Sequence, residues 1–521
     1  MIRPRPAVPA AVAVSAVLTL AACTTSAGPG AGPTSGRDGT AGAVFRFAAT
    51  SDANTFDPAK GTAATDYSLA RLQYATLVNR DTGNKIIPGL AETWDATPAG
   101  ATFTLRKGLT CTDGKPLTAS AVAGSLRRFA DPKTGSSGVV FAFGPGAPTI
   151  TADDQAGTVT VTLAQPWSDL LVGLSLTNAG IVCPAGLADP QALARGPVAG
   201  AGTGPYVLAD VQRGRSYTFT LREGYPAFPA YAPQGTPPAQ LKLSVLANES
   251  TAANQLSTGG LDYVALTGPD AARFTQGGYT LKTAPLPRMF VVFNQREGHP
   301  GADPKIRKAV AQALDPQAFN KVFGGKGEAM KSWSDSTSEC ASTDAALVTA
   351  TDPAAAKQVL AGVKIRLTGT NGVANGSGNA YVQEALRAAG ADVTLRNVDN
   401  ATWASDVLAD KGEWDLTVMA HLNFAGTLTS GALLLTGPPP PRGRNFGDLR
   451  NDAFTAGMGK AMAAADPAAK CAGWAEAQQA LLGRNDVVPL ATVPVAFVYG
   501  KNADGAVVNG TPDPTTFRIK G

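Results

Sequence analysis

A mixed α/β fold is the expectation for this chain, and three observations carry it. Short runs such as Thr102-Phe103-Thr104-Leu105-Arg106 alternate apolar and polar side chains with the period of a half-buried strand. From Lys364 onward, strand-like and helix-like stretches alternate as in a β-α-β unit with a parallel sheet. The length of 521 residues suggests two to four domains or lobes, on a prior of about 100–200 residues each.

Bulk counts exclude several function classes. Lys and Arg number 44 against 40 Asp and Glu, a formal charge of +4 that is too even for an electrostatic nucleic-acid binder. Two histidines, His299 and His421, cannot build a multi-histidine metal centre. An apolar fraction of 44% is enough for a packed core and excludes global disorder.

Taken in order, the chain begins with an address. Arg3 and Arg5 precede an apolar stretch, Ala7 to Ala22, that is short for a permanent bilayer span and ends in small residues. Leu20-Ala21-Ala22-Cys23 resembles a bacterial lipobox, in which Cys23 becomes a diacylated N-terminus. Two acyl chains are what stable anchoring requires. Thr24 to Gly42 is almost entirely Gly, Pro, Ala, Ser and Thr, so residues 23–43 should form a flexible tether. Loss of residues 1–22 takes the charge from +4 to +2. No later segment offers 18 uninterrupted apolar residues, so no spanning helix is expected.

The body opens on the alternating run Val44 to Ala48, which Asp57-Pro58 ends. Tyr67 to Val78 has helical spacing. Thr118 is placed as N-cap of a helix carrying Val122, Leu126 and Phe129. Val159 to Leu163 and Tyr217 to Leu221 read as strands, and Met289 to Asn294 as a buried one. Asp303-Pro304 and Asp315-Pro316 each start a helix. Ile365 to Thr368, Val393 to Leu395 and Trp414 to Met419 are the strands of the β-α-β unit. The loop Gly369 to Gly378 lacks G-x-G-x-x-G spacing and reads as a β-α connection. Trp474 to Leu482 is a helix, and Val487 to Tyr499 returns as strand.

Besides Cys23, the chain has Cys111, Cys183, Cys340 and Cys471. An even number in an exported protein, with no C-x-x-C, favours disulfides over metal ligation, and four cysteines allow three pairings.

A series of motifs, each weak alone, keeps its order across the body. It comprises Thr55-Phe56-Asp57-Pro58-Ala59, Gly89-Leu90-Ala91-Glu92-Thr93-Trp94, Leu105-Arg106-Lys107-Gly108-Leu109 and Thr112-Asp113-Gly114-Lys115-Pro116-Leu117-Thr118-Ala119. It continues with Gly202 to Tyr206, Gly260 to Tyr263, Asp303 to Val310, Gly412 to Leu416 and Trp474 to Gln479, followed by Val488-Pro489-Leu490. In this the chain resembles the family 5 extracellular solute-binding proteins of ABC transporters, the oligopeptide, dipeptide and nickel binders.

The resemblance implies a two-lobed, periplasmic-binding-protein-like clamshell with mixed sheets and a cleft between the lobes. Lobe I would take residues 44–287 and 490–521, and lobe II residues 288–489. Pairing Cys111 with Cys183 and Cys340 with Cys471 keeps each disulfide inside one lobe of that layout. The implied activity is capture of a small solute, a peptide or peptide-like compound, by lobe closure and delivery to an ABC permease. No cofactor, metal or nucleic acid is implied, and the protein would be a monomer lipid-anchored on the extracellular face of the membrane.

Candidate ligand residues follow from where strands end. In open α/β sheets, ligands bind beyond the carboxyl ends of strands, which selects His421, Asn423 and Phe424 after Leu416 to Met419. Trp333 stands in a polar loop where a core aromatic is not needed, and Asn294 ends the strand leading from the hinge. Arg444 and Asn445 lie beyond Pro438 to Pro441, a region that faces the cleft in the family. Thr55 and Phe56 precede the Asp57-Pro58 turn at the rim of lobe I. His299 reads as a surface-turn residue, and Trp94, Tyr206 and Trp474 as scaffold.

One departure bears on the solute. Peptide-binding members of the family place an Asp after the strand corresponding to Leu416 to Met419, where it pairs with the peptide's ammonium. Here residues 420–427 contain no carboxylate, so a free peptide ammonium lacks its usual anchor and a neutral, blocked or non-peptide solute gains weight; a peptide remains the leading class, and a non-peptide solute such as a sugar or metal chelate is the alternative. A sensory receptor is the remaining alternative. An exported hydrolase is disfavoured: no G-x-S-x-G, HExxH or P-loop is present.

Overall fold

The computed structural model describes residues 43–520; the stretches expected to be an export signal and a tether, with Cys23, lie outside the described residues up to residue 42. In chain order the principal strands are β1 (Val44–Ala49), β2 (Ala91–Thr97), β3 (Gly100–Leu105), β4 (Thr149–Asp153), β5 (Thr158–Thr162), β6 (Tyr206–Gln212) and β7 (Ser216–Leu221). They continue as β8 (Gln240–Val245), β9 (Tyr263–Leu266), β10 (Thr280–Phe293), β11 (Lys364–Thr370), β12 (Asp392–Val398), β13 (Leu416–Leu422) and β14 (Val487–Tyr499). Alternation does place strands: β3, β5 and β8 bury every second side chain.

Strands β2 to β5 make a four-stranded antiparallel sheet in the order β2-β3-β5-β4. The others form one ten-stranded mixed sheet, β12-β11-β13-β10-β14-β9-β1-β8-β7-β6. Its middle is the pair β10 and β14, 14 and 13 residues long, antiparallel from Thr280 opposite Tyr499 to Val292 opposite Val487. One end of each strand lies with the β-α-β strands and the other with β9 and β1. The pairing slips between Pro285 and Phe290, where four prolines (Pro285, Pro287, Pro489, Pro494) remove ladder donors. On one side, β11 runs parallel to β12 and β13 with the helix Ser377–Ala388 crossing between, as the sequence indicated.

Helix starts repeat one device. Asp57, Asp131, Asp189, Asp303, Asp315, Asp352, Asp466 and Asp513 each precede a proline and accept an amide of the first turn. The carboxylate satisfies an orphan donor, and proline takes a position whose N–H has no partner in any case. Thr118 caps its helix through Ala121 N at 3.2 Å. Helix Ala64–Gln73 stops five residues short of the sequence expectation, because Val78–Arg80 pairs as a strand with Ile86–Pro88.

Three large apolar clusters hold the body. Met289, Val291, Leu367, Val382, Leu386 and Val418 fill the β-α-β half. Phe45, Phe47, Tyr217, Phe219, Tyr499 and Phe517 fill the other half. A third runs from Phe103, Leu126 and Phe143 to Trp333, Phe454 and Trp474, joining the small sheet to the helices Asp452–Ala463 and Pro467–Gly483. Each fully buried large side chain contributes roughly 1.5–3 kcal/mol. Cys111 is bonded to Cys183 and Cys340 to Cys471, at Cα separations of 6.1 and 4.9 Å.

Candidate functional site

Strand β13 is longer than its sequence suggests and carries His421 inside it, directly opposite Arg288 of β10. The expectation that His421 follows the strand is corrected: main-chain pairing with β10 extends β13 to Leu422. The His421 ring is buried, with Nε2 3.1 Å from Ser430 Oγ, while Nδ1 has no hydrogen-bond partner. Burial, followed by the charges of Arg288 and Arg444, pushes its pKa down to about 3, so the imidazole is neutral at physiological pH.

The next residues form a tight closed loop. Asn423 Nδ2 donates to the Thr427 carbonyl at 3.0 Å and to Ser334 Oγ at 3.1 Å, and Thr427 N donates back to its Oδ1 at 3.3 Å. Phe424 is thereby presented half-buried, edge-on to Tyr67 of helix Ala64–Gln73 with ring centroids 5.2 Å apart. Arg80 Nη1 donates to the Ala425 carbonyl. Gly426 has φ of +63°, and a Cβ there would lie 2.7 Å from Asn509 Oδ1 and 3.0 Å from Arg80 Nη2, so conformation and space both require glycine.

Arg444 approaches from beyond the proline run. Its guanidinium lies 5.1 Å from the Phe141 ring centroid and donates to the Ser137 carbonyl at 3.3 Å. The residue as a whole is exposed, yet the guanidinium end sits among enough protein that desolvation lowers its pKa. Burial raises the Tyr67 hydroxyl to about 12, with Asp66 adding to the rise and Arg444 opposing it. His421, Phe424 and Arg444 thus share one cluster with Tyr67, Phe141 and Arg80.

The other sequence candidates lie elsewhere or are consumed by the scaffold. Asn294 sits six residues along β10 from Arg288, about 20 Å from His421, because antiparallel pairing sets the end of β10 beside the start of β13. Its side chain donates to the Trp414 carbonyl at 3.1 Å. Trp333 is fully buried, edge-on to Phe454 and Trp474, with Nε1 donating to the Leu428 carbonyl at 2.9 Å; a core aromatic is needed there after all. Phe56 packs on Tyr217 under the Arg213 guanidinium, and Thr55 faces the Ala194 carbonyl at 3.4 Å, both in the β1 half. Asn445 repeats the Asn423 arrangement, tied to Leu449 N at 2.9 Å and Leu449 O at 2.8 Å. His299 is not a surface residue: its Nδ1 meets Asp415 Oδ1 at 2.8 Å beside Arg366.

Tyr67, Phe141 and Arg80 were not singled out in the sequence. Tyr67 opens the stretch read as helical, and no local pattern marks Phe141 or Arg80. Among the described residues, no three metal-ligating side chains come together and no helix is long and apolar enough to cross a membrane.

Comparison with known proteins agrees with this architecture. The model of bacterial extracellular solute-binding proteins, family 5 Middle, matches residues 85–435. The probable D,D-dipeptide-binding periplasmic protein DdpA of Escherichia coli strain K12 is 29% identical over 297 residues, 54% of this chain and 55% of that protein. The chain spans about half the length of the curated relatives it matches. A substrate-binding protein from Microbacterium hydrocarbonoxydans, solved with 4-hydroxybenzoate hydrazide, is 41% identical, with a TM-score of 0.81 over 92% of this chain and 100% of that one. AgaA of A. tumefaciens R10, solved with agropinic acid, shares the fold at 23% identity and a TM-score of 0.77, over 92% and 99% of the two chains. The chain belongs to the bacterial extracellular solute-binding proteins of family 5.

Proposed function

We propose that this protein captures a small peptide-like acyl solute without a free ammonium group and delivers it to an ABC importer. The observation that carries the reading is the segment 420–427, which has no carboxylate to receive an ammonium and presents Phe424 beside Tyr67 and Arg444. The relative solved with 4-hydroxybenzoate hydrazide supports an aromatic acyl compound over an extended peptide.

In this reading residues 44–287 and 490–521 move as one lobe and 288–489 as the other, with β10 and β14 as the connecting hinge. Closure brings Arg80 to the Ala425 carbonyl and Asp169 to Lys470 at 2.8 Å; Lys470 also holds Glu339 at 2.8 Å. Binding is the whole of the activity and involves no covalent step. The protein acts as a monomer on the extracellular face of the membrane, anchored by lipid on Cys23. Cys23→Ala then releases it into the medium; retention on membranes refutes the anchor.

Native mass spectrometry of protein purified without refolding tests the solute class, together with thermal titration by 4-hydroxybenzoate hydrazide and by free tripeptides. The hydrazide should raise the melting temperature with concentration, as mass action requires. Stabilisation by tripeptides alone, or a co-purified free peptide, overturns the reading.

A further inference from the structure

Arg80 is an anomaly among the buried arginines. It is 6% exposed and, among the described residues, makes one side-chain hydrogen bond, to the Ala425 carbonyl, and leaves its buried Nε without a partner. Three buried arginines have carboxylates: Arg71 has Asp513 at 2.9 Å, Arg288 has Asp335 at 2.5 Å and Arg307 has Asp486 at 3.1 Å. Among the described residues Arg222 and Arg518 have no ion-pair partner, but their guanidiniums are met by carbonyls: Gly204, Thr110 and Cys111 for the first, Thr515 and Phe517 for the second. The acidic groups acting on Arg80 are Asp169, Glu339 and Asp81, none within ion-pair distance. Lys470 already holds the first two. Even with their help, burial lowers the Arg80 pKa to about 10.

Arg444 stands at the same loop. It too lacks a carboxylate and is offset only by the Tyr67 hydroxyl, the Phe141 ring and one carbonyl. The chain of contact is continuous: Arg444 acts on Tyr67, Tyr67 packs on Phe424, and Phe424 adjoins the Ala425 carbonyl that Arg80 holds. A desolvated guanidinium without a counter-charge is unfavourable, and a fold retains one where something else supplies the charge.

We infer that the solute is an anion whose carboxylate-type group is held by Arg80, with Arg444 supplying a second positive charge at the same loop. This rests on the reading that the cluster around Phe424 is the solute site. A guanidinium fork matches a carboxylate in a bidentate way that a neutral amide cannot reproduce. Arg80 is therefore the residue that separates an acid from its amide or hydrazide.

The test compares 4-hydroxybenzoate with 4-hydroxybenzamide, by thermal titration and calorimetry, on the full chain and on Arg80→Met, Arg80→Lys and Arg444→Met. The wild type should bind the carboxylate at least ~10-fold more tightly than the amide, a difference of one good charge-assisted contact. Arg80→Met should erase that preference while leaving the unliganded melting temperature unchanged or raised; a purely structural arginine would lower it. Arg80→Lys should keep part of the preference, and Arg444→Met should reduce it without removing it. Equal or better binding of the amide by the wild type overturns the inference, as does a preserved preference in Arg80→Met. If neither probe binds the wild type, the inference falls. If the hydrazide still binds, the proposed function stands without it; if the hydrazide also fails, both fall.

Discussion

Arg288 and Arg80 stand on two sides of the same loop, and the protein treats them differently. Arg288 lies in β10 opposite His421, its side chain 3% exposed, with its Nε 2.5 Å from Asp335 and an Nη1 bond to the Leu286 carbonyl at 2.9 Å. Asp335 is itself held by Thr337 N at 2.9 Å. Arg80 reaches the loop from the other side with a single carbonyl and no carboxylate. Desolvation is similar for both, so the difference is in what compensates it. A guanidinium that serves the fold comes with its counter-charge, or a set of carbonyls, built in, and one that serves a ligand leaves that place to the ligand.

The strongest way to break this comparison is to remove the counter-charge from Arg288. Asp335→Asn keeps the shape and leaves a buried cation facing an amide, which should cost about 3–5 kcal/mol of stability. Thermal or denaturant unfolding of the unliganded protein reads it directly. The contrast is with Arg80→Met, which should not destabilise. If Asp335→Asn is neutral, or if the two variants lose stability alike, the two arginines are not of different kinds.

Much of the scaffold was legible in local sequence. The Asp-Pro helix starts, the β-α-β unit and the alternating strands depend on neighbours a few residues away, and so does Thr118 as a cap. The candidate site was legible only where one segment carries it: His421 in the last residues of β13, and Phe424 and Arg444 in the loops that follow. Arg80, Tyr67 and Phe141 join them across more than 300 residues of chain, and no local pattern records that meeting. The misplaced candidates share a cause. Asn294, Asn423 and Asn445 are polar residues at strand or loop ends, which suits ligand contact, but their amides are taken by main-chain groups that the tight turns would otherwise leave unpaired. Trp333 shows the complementary error: a polar stretch around an aromatic concealed that its ring closes the core over Trp474.

His421 sharpens the comparison, because it is a third basic group at the loop and it is kept uncharged. Arg288 and Arg444 face it, its Nε2 meets Ser430, and among the described residues no carboxylate acts on it. Its pKa is near 3 in the folded protein against 6.5 in an unfolded chain. Between those values the unfolded state binds a proton that the folded state does not, so stability rises with pH across this window and is lost as pH falls below about 6.5. At pH 5 the loss from this one group amounts to about 2 kcal/mol, from ~1.36 kcal/mol per pH unit below 6.5. His421→Gln keeps a side-chain amide within reach of Ser430 and does not titrate. The drop in unfolding free energy between pH 7.5 and 5 should therefore shrink by that amount in the variant. An identical drop in both proteins would mean that His421 takes up a proton in place, and that the loop between the two arginines tolerates a third positive charge.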